Sequence, residues 1–292
     1  MVGPPRLTAG IPPVDRRTVE SLTNKIAVVT GAGSGIGRAT ALTLARHGAT
    51  VALADIDMAS AKETAALVEG AARTSVHHVD VTSESAMRAF VDDVLGDHGS
   101  VDVVVNNAGI APAPASAQDV PLEIYRRIME VNYWGMVYGS LFFLPHLLRR
   151  PEANLVNVAS NAGIIAYPRL APYSASKFAV RGFSESLRME LRNTRVHVTV
   201  VCPGSTHTRI IQNSPVVADS QRERLQERFD KTFGRPPQAV ADAIMRAIRR
   251  NRPRALAGPE TIVFDALARI APGRYGRWLA PAIDRFIESA IR

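Results

Sequence analysis

Short apolar runs alternate with helical segments along most of this chain, and that alternation narrows the folds it can adopt. Largely apolar, β-branched runs of four to six residues are typical of strands buried on both faces of a sheet. Strands separated by helices pair in parallel through right-handed crossovers. The pattern therefore predicts an α/β fold with a doubly wound parallel sheet and a helical C-terminal extension. The predicted strands are Ile26–Thr30, Val51–Ala54, Val76–Val79, Val101–Val105, Leu155–Val158 and Val196–Val201.

Cysteine content and hydropathy bear on where the protein works. Cys202 is the only cysteine, so an internal disulfide is excluded and a reducing compartment fits. The longest apolar stretch, 131–148, is interrupted by polar residues, glycines and a proline. We therefore interpret it as a packed helix and not as a membrane span, and we expect a cytoplasmic protein.

Positive charge is concentrated near the C-terminus. The net charge is +8, and residues 222–292 carry fifteen basic and eight acidic side chains. A solvated helical face is the favoured interpretation, and a peripheral membrane contact through this segment stays open. No nucleic-acid partner is expected, because aromatic residues do not interleave with the basic ones. An apolar stripe near the end is predicted to pack on the protein itself or on a sister subunit, with a substrate lid or a membrane contact as the alternative; it comprises Leu279, Ile283, Phe286 and Ile287.

A glycine-rich turn lies between the first predicted strand and the first helix. A diphosphate needs a close backbone approach and gains from the free N–H groups at a helix start. The spacing departs from the usual G-x-G-x-x-G pattern, so the position of the turn is the stronger evidence. We predict a dinucleotide-phosphate site at Gly31, Ser34, Gly35, Ile36 and Gly37.

An acidic residue ends the second predicted strand. Asp55 follows Gly37 by eighteen residues. A carboxylate there accepts hydrogen bonds from ribose hydroxyls and repels a 2′-phosphate, so NAD is predicted as the cofactor over NADP. We predict no metal site.

A phenol and an ammonium are four residues apart at Tyr173 and Lys177, which places them on one face of a helix. A nearby cation favours the phenolate and lowers the pKa of a tyrosine from about 10. Ser160, at the end of a predicted strand, is a candidate to hold a substrate oxygen beside that phenol. Asn132 lies in a predicted helix among apolar neighbours, where it is either a satisfied buried amide or a functional one.

Taken together, these residues resemble the short-chain dehydrogenase/reductase family over about residues 24–210. The matching motifs are Thr30-Gly31-x-x-x-Gly35-x-Gly37, Asn106-Asn107-Ala108-Gly109, Asn132, Ser160, Tyr173-x-x-x-Lys177 and Pro203-Gly204. Two positions depart from the family pattern. Ala159 replaces a serine, and Thr206 stands where an apolar residue is usual.

The resemblance implies a catalytic group. Tyr173 is the expected general acid/base, Lys177 lowers its pKa and holds the nicotinamide ribose, Ser160 stabilises the substrate oxygen, and Asn132 holds a water in a proton relay. It also implies cofactor contacts beyond the glycine turn and Asp55, at Asp80, Val81, Asn107, Ala108, Gly109, Tyr173, Lys177, Pro203, Gly204, Thr206 and Thr208.

The implied organisation is a Pro-rich leader over 1–22, a Rossmann-type dinucleotide-binding and catalytic domain over 23–235, and a helical, basic extension of that domain over 236–292. A homodimer or homotetramer is expected by analogy. The expected activity is NAD-dependent oxidation or reduction between an alcohol and its ketone or aldehyde. A lipophilic small-molecule substrate is favoured by the apolar side chains near the site, which include Ile164, Ile165 and Tyr167.

Two alternatives stay open. The first is a 3-oxoacyl thioester reductase, which Asp55 opposes because such enzymes usually take NADPH. The second is a non-catalytic NAD-binding regulatory protein, which the presence of all four catalytic positions opposes.

Overall fold

A computed structural model describes residues 21–69, 73–208, 210, 227 and 234–291. Almost all of the predicted leader, 1–22, lies outside these residues. The predicted sheet is confirmed: its strands are all parallel, in the order β3-β2-β1-β4-β5-β6-β7. They are β1 (Ile26–Thr30), β2 (Thr50–Asp55), β3 (Thr74–His78), β4 (Val103–Asn106), β5 (Ala153–Val158), β6 (Val196–Pro203) and β7 (Arg254–Ala257).

Helices cover both faces of this sheet. They are α1 (Gly35–Arg46), α2 (Met58–Ala66), α3 (Glu84–His98), α4 (Leu122–Met129), α5 (Gly135–Leu147), α6 (Ala171–Glu190), α7 (Pro237–Arg249), α8 (Pro259–Ile270) and α9 (Tyr275–Ile291). Within the described ranges, none of them is both long enough and apolar enough to cross a bilayer.

Two apolar clusters, one on each side of the sheet, explain the unbroken apolar runs. Neighbouring residues of a strand point to opposite faces. Val29 belongs to the cluster that includes α1 and α7, whereas Val28 belongs to the cluster that includes α3 and α5. Both side chains are fully buried, so a polar residue at either position would need a hydrogen-bond partner within the protein.

The strand order reverses direction at one place, between β1 and β4. In doubly wound sheets, ligands bind in the crevice beyond the carboxyl ends of the strands at such a point. The glycine-rich turn follows β1, and the Asn106–Gly109 segment follows β4. The topology therefore brings two sequence-predicted segments together at one crevice.

A buried polar network sets α5 and α6 against the central strands. Asn106 Nδ2 donates to Ser140 Oγ at 3.1 Å and to Asn157 Oδ1 at 2.9 Å, and Asn157 Nδ2 donates to Ser184 Oγ at 3.0 Å. A side chain at Gly139 would overlap Asn106 Oδ1. The network fixes the position of α6, which carries Tyr173 and Lys177, and of α5, which directly follows the segment that contains Asn132.

The structure differs from the sequence prediction in two places. The predicted helix 119–148 is divided, because a π-helical segment at 130–134 separates α4 from α5. The mostly helical extension predicted from 236 onward also contains β7, which pairs with β6 at the edge of the sheet. The sequence of β7, Arg-Ala-Leu-Ala, is short and begins with a charged residue, so it carried little strand signal.

The C-terminal helices pack on the protein itself, as predicted for the apolar stripe. Leu279 and Ile283 contact the cluster that contains Ile164 and Ile165. The side chains of Phe286 and Ile287 lie outside those described. Arg169 adds two ion pairs to α9, with Asp284 at 3.2 Å and Glu288 at 2.7 Å. The extension therefore closes over the segment that follows β5.

Candidate active site

The glycine-rich turn between β1 and α1 has the geometry of a phosphate site. Gly31 and Gly35 adopt φ values of +65° and +52°, which favour glycine. α1 begins after Ser34 without a side-chain cap, whereas α2 and α3 are capped by Asp57 and Ser83. The first N–H groups of α1 thus keep their capacity to bind an anion.

Asn107 holds this turn in place. Its backbone N–H donates to Thr30 Oγ1 at 3.0 Å, and its Nδ2 donates to the carbonyls of Thr30 at 3.0 Å and Gly31 at 3.2 Å. A side chain at Gly37 would overlap the Gly31 carbonyl. The side chain of Asn107 is therefore committed to the turn, so any cofactor contact at this position falls to its backbone.

Asp55 lies beside the turn, at the end of β2. One carboxylate oxygen accepts the Gly33 N–H at 2.8 Å and the other accepts the Asp57 N–H at 2.9 Å. These bonds fix the plane of the carboxylate next to the position predicted for an adenosine ribose.

A cation that was not predicted from the sequence lies at this corner. Arg38 donates to the Gly33 carbonyl through Nε, at 3.0 Å, and through Nη2, and it forms a 2.9 Å ion pair with Glu63. Its position after the glycine turn was visible in the sequence, but which way its side chain turns depends on the packing of α1 against α2. Most of its donors and its charge are thereby engaged within the protein.

Asp80 and Val81 follow β3. Partial burial favours the neutral acid, but hydrogen bonds from the Thr82 N–H and hydroxyl and the nearby Arg127 outweigh it, and the pKa of Asp80 is below its ordinary value. Val81 is buried against Gly135 of α5. Both residues are thus firmly positioned at the edge of the crevice.

Tyr173 and Ser160 meet at the carboxyl end of β5. Tyr173 is in the first turn of α6, and its phenol lies close enough to the Ser160 side chain for Ser160 to affect its pKa. Burial raises the pKa of the Tyr173 phenol, and the interaction with Ser160 opposes that rise. Ser160 Oγ itself donates to Asn161 Oδ1 and accepts the Ala162 N–H, each at 3.1 Å. Tyr173 as a whole is partly exposed, and its phenol lies beside a second hydroxyl, which is where a substrate oxygen would lie.

Lys177 is one helical turn further along α6 and is 3% exposed. Its ammonium lies 5.7 Å from the centroid of the Tyr173 ring and donates to the Val158 carbonyl at 3.2 Å. Burial lowers the pKa of Lys177 to about 8. The lowering of the tyrosine pKa by this lysine, implied by the resemblance, stays a prediction, because in this structure burial dominates both groups.

Asn132 is in the π-helical segment and is almost fully buried. Its Oδ1 accepts the Ile110 N–H at 2.8 Å, and its Nδ2 donates to the Ile110 carbonyl at 2.9 Å and to Ser176 Oγ at 3.0 Å. Ser176 in turn donates to the Tyr173 carbonyl. Asn132 thus links the segment after β4 to the helix that carries Tyr173.

Gly109 lies between the side chains of Asn132 and Lys177. A Cβ there would lie 3.1 Å from Asn132 Oδ1 and 3.3 Å from Lys177 Nζ. The absence of a side chain is what lets the backbone pass between them.

The segment after β6 closes the far side of the crevice. A Cβ at Gly35 would lie 3.1 Å from Thr208 Cγ2, so Thr208 is over the glycine turn. Thr206 is buried and donates to the Gly204 carbonyl at 3.0 Å, which leaves its backbone as the available contact. A side chain at Gly204 would overlap the carboxylate of Glu260, at the start of α8.

One cluster of potential metal ligands lies away from this crevice. His77, Asp97 and His98 converge at the end of α3. Ser75 Oγ already hydrogen bonds with both imidazoles, at 2.7 and 2.8 Å. A serine that bridges the two rings accounts for their convergence without an ion.

Similarity to known proteins agrees with this geometry. A family model described as short chain dehydrogenase matches residues 25–216. The putative oxidoreductase SadH of Mycobacterium tuberculosis (strain ATCC 25618 / H37Rv) is 36% identical over 272 residues, which cover 92% of this chain and 98% of that protein. The 1-deoxy-11-beta-hydroxypentalenate dehydrogenase of Streptomyces exfoliatus is 39% identical over 194 residues, 65% of this chain and 70% of that protein.

A solved structure extends the likeness to three dimensions. The crystal structure of a short chain dehydrogenase/reductase from Burkholderia phymatum in complex with NAD superimposes with a TM-score of 0.79 at 28% sequence identity. The match covers 86% of this chain and 94% of that one.

The burial of Lys177 predicts a stability change with a defined pH dependence. The pKa of this lysine is about 8 in the folded protein, against 10.5 ordinarily. Between those values the unfolded chain binds a proton that the folded protein does not, so the free energy of unfolding rises with pH across that window. Below pH 8 the folded protein bears the full free-energy cost of burying the Lys177 ammonium. Lys177→Met should therefore stabilise the protein at pH 7 by about 2 kcal/mol, which is roughly 3 for the ammonium less about 1 for its hydrogen bond.

Urea unfolding of both proteins at pH 7 and pH 10.5 measures this effect. The gain should shrink at the higher pH. Lys62→Met, at an exposed position, is the matched control and should change little at either pH. A Lys177→Met protein less stable than wild type at pH 7 would contradict the account.

Proposed function

Because the chain belongs to the short-chain dehydrogenase/reductase family, we propose that it is an NAD-dependent oxidoreductase that interconverts a lipophilic alcohol and its ketone or aldehyde. The observation that carries the proposal is the convergence of Tyr173, Ser160 and Lys177 beyond the carboxyl end of β5. This group lies next to the crevice formed by the glycine turn and the segment after β4.

The residues divide the work by geometry. Ser160 donates to the substrate oxygen and holds it beside the phenol. Tyr173 accepts the hydroxyl proton when an alcohol is oxidised and returns it when a carbonyl is reduced. Lys177 supplies positive charge near the phenolate and an ammonium for ribose hydroxyls. Asn132 positions this group through Ile110 and Ser176, and its water-holding role stays part of the proposal.

The cofactor fits the residues present. The uncapped start of α1, the glycines of the turn and the carboxylate of Asp55 match a diphosphate and a ribose. The nicotinamide, when bound, supplies the carbon that exchanges hydride with the substrate and, when oxidised, a positive charge near the phenol. We propose NAD over NADP because the fixed Asp55 carboxylate would repel a 2′-phosphate, and because Glu63 offsets the charge of Arg38.

The substrate class rests on the apolar residues that follow Ser160 in the chain. Ile164 and Ile165 are buried, and they form one apolar cluster with Tyr167, Phe264 and Leu279. Burial, followed by the negative charge of Glu260, raises the pKa of Tyr167, so this residue presents a neutral hydroxyl. An apolar wall with few polar groups favours a lipophilic substrate. The hydroxyl in the name of the substrate of the Streptomyces exfoliatus relative supports an alcohol donor.

We propose that the protein pairs through α5 and α6. Trp134, Leu141 and Leu148 recur at seven-residue intervals and are each close to half exposed. On α6, Phe178 and Met189 are exposed, and no atom of the described residues lies within 4 Å of a Cβ placed at Gly182. Two copies could bury these faces against each other.

The activity is tested with a panel of alcohols and NAD⁺, followed by the absorbance of the reduced nicotinamide. Lipophilic secondary alcohols should react better than sugars or small polyols. Tyr173→Phe should lower kcat about a thousandfold, because the proton acceptor is removed, while NADH binding is retained. A fully active Tyr173→Phe protein, or clear preference for polyols, would contradict the proposal. A 3-oxoacyl thioester in the same panel tests the reductase alternative.

The same assay tests whether Asp55 selects NAD⁺ over NADP⁺. Wild type should prefer NAD⁺ to NADP⁺ in kcat/KM. Asp55→Ser removes the repelling charge and should narrow that preference about tenfold, or roughly 1.4 kcal/mol. An unchanged preference would mean that Asp55 does not select the cofactor.

The pairing is tested by sedimentation velocity. Phe178→Glu should shift the protein toward monomer, because a carboxylate would be buried in the contact. Leu67→Glu, on the exposed end of α2, is the matched control and should leave the mass unchanged. Equal sedimentation of all three proteins would contradict the proposed face.

A further inference from the structure

The outer face of the last two helices combines exposed apolar side chains with arginines. We call α8, the 271–274 turn and α9 the C-terminal helix pair. Ile262, Ile270 and Trp278 are exposed to 57%, 82% and 60%. The exposed basic residues around them are Arg269, Arg274, Arg277 and Arg285.

No residue within the described ranges packs on this face of the helix pair. Phe264 and Ala268 of α8, with Tyr275, Leu279 and Ile283 of α9, turn inward onto the cluster near the candidate active site. The exposed residues recur at the intermediate positions, such as 262, 266 and 270 on α8. The pair therefore has apolar side chains on two sides: one side packs on the protein, and the other is exposed.

The net charge of the face is positive. Between 262 and 285 the acidic residues are Asp265 and Asp284. Both are engaged: Asp265 pairs with Arg254 and Arg269, each at 2.8 Å, and Asp284 pairs with Arg169. Within the described part of the chain, no carboxylate pairs with Arg274, Arg277 or Arg285.

We infer that this face docks onto an anionic membrane surface. Apolar side chains that enter the boundary of the acyl chains, a tryptophan at headgroup level and arginines toward acidic headgroups are the combination that holds a helix in the plane of a membrane. A second copy of the chain is a poorer occupant, because a two-fold contact would set the same arginines against one another. The inference does not depend on the proposed activity.

Docking would also place the candidate active site close to the lipid. The inward side of the helix pair contacts the cluster that contains Ile164 and Ile165, and Arg169, which follows that segment, is tied to α9. A membrane-bound protein would thus hold these apolar residues one helix layer from the bilayer.

Co-sedimentation of the full chain with vesicles tests the inference. Binding should be stronger to vesicles of phosphatidylcholine with phosphatidylserine than to phosphatidylcholine alone, and added salt should weaken it. Arg274→Gln/Arg277→Gln should reduce partitioning onto the anionic vesicles about thirtyfold, which corresponds to about 2 kcal/mol for two arginines near the surface. Ile270→Ser/Trp278→Ala should reduce partitioning onto both kinds of vesicle.

The control is Lys62→Gln/Leu67→Ser, which removes one exposed cation and one exposed apolar side chain from α2. It should bind like wild type. Wild type that prefers neither vesicle, or a control that loses as much as the arginine variant, would overturn the inference. The inference would also be overturned if light scattering without lipid showed that Ile270→Ser/Trp278→Ala forms an assembly of different mass from wild type. The face would then be a contact between protein chains. NADH binding by each variant reports separately on the proposed function.

Discussion

The backbone of the first β–α turn closes on itself too tightly for any side chain, and the residue that follows β4 holds it there. Gly37 lies on the carbonyl of Gly31, and Asn107 ties down that same carbonyl and its neighbour. Because β1 and β4 flank the point where the strand order reverses, this contact shapes the crevice of the candidate site. The start of α1 is aimed into that crevice only while the turn stays closed.

The other half of the site is built at a thermodynamic cost. A lysine at 3% exposure keeps its ammonium against a single carbonyl, and burial lowers its pKa to about 8. The surrounding structure supports this through Gly109, which leaves room for Lys177 and Asn132, and through the network that begins at Asn106. A residue held in an unfavourable environment by so many neighbours is typical of functional positions.

Periodicity and turn chemistry were enough to predict most of the fold. The apolar runs located six of the strands because most of them are buried on both faces, although the edge strand β3 is only partly buried. The glycine turn was recognisable from its place after β1. β7 was missed, since its pairing with β6 supplies what its own sequence lacks. The π-helical segment was missed as well, because the bonds between the Asn132 side chain and Ile110 are tertiary contacts that periodicity does not reveal.

The contacts of the candidate site could be predicted from the sequence only in part, because the sequence does not show where each side chain points. The sequence predicted that Asn107 and Ile36 contact a cofactor, and the structure engages these side chains within the protein: Asn107 with the turn and Ile36 against the core. At Thr206 the sequence favoured a backbone contact over a side-chain one, and its side chain does donate to Gly204. Arg38 was overlooked for the opposite reason, because only the packing of α1 on α2 brings it beside Gly33. The outer face of the C-terminal helix pair could not be predicted from the sequence either. Its exposed apolar residues are interleaved along the chain with those that pack inward, and only the fold separates the two sets.

The central claim is that the closed glycine turn forms a dinucleotide site, and titration of NADH into two glycine variants tests it most directly. Gly37→Ala places a methyl group against the Gly31 carbonyl and should weaken NADH binding by tenfold or more, or at least about 1.4 kcal/mol, in a protein that still unfolds cooperatively. Gly96→Ala, in an open position on α3, should bind like wild type and be up to about 1 kcal/mol more stable. Equal NADH affinity in wild type and Gly37→Ala would contradict the account.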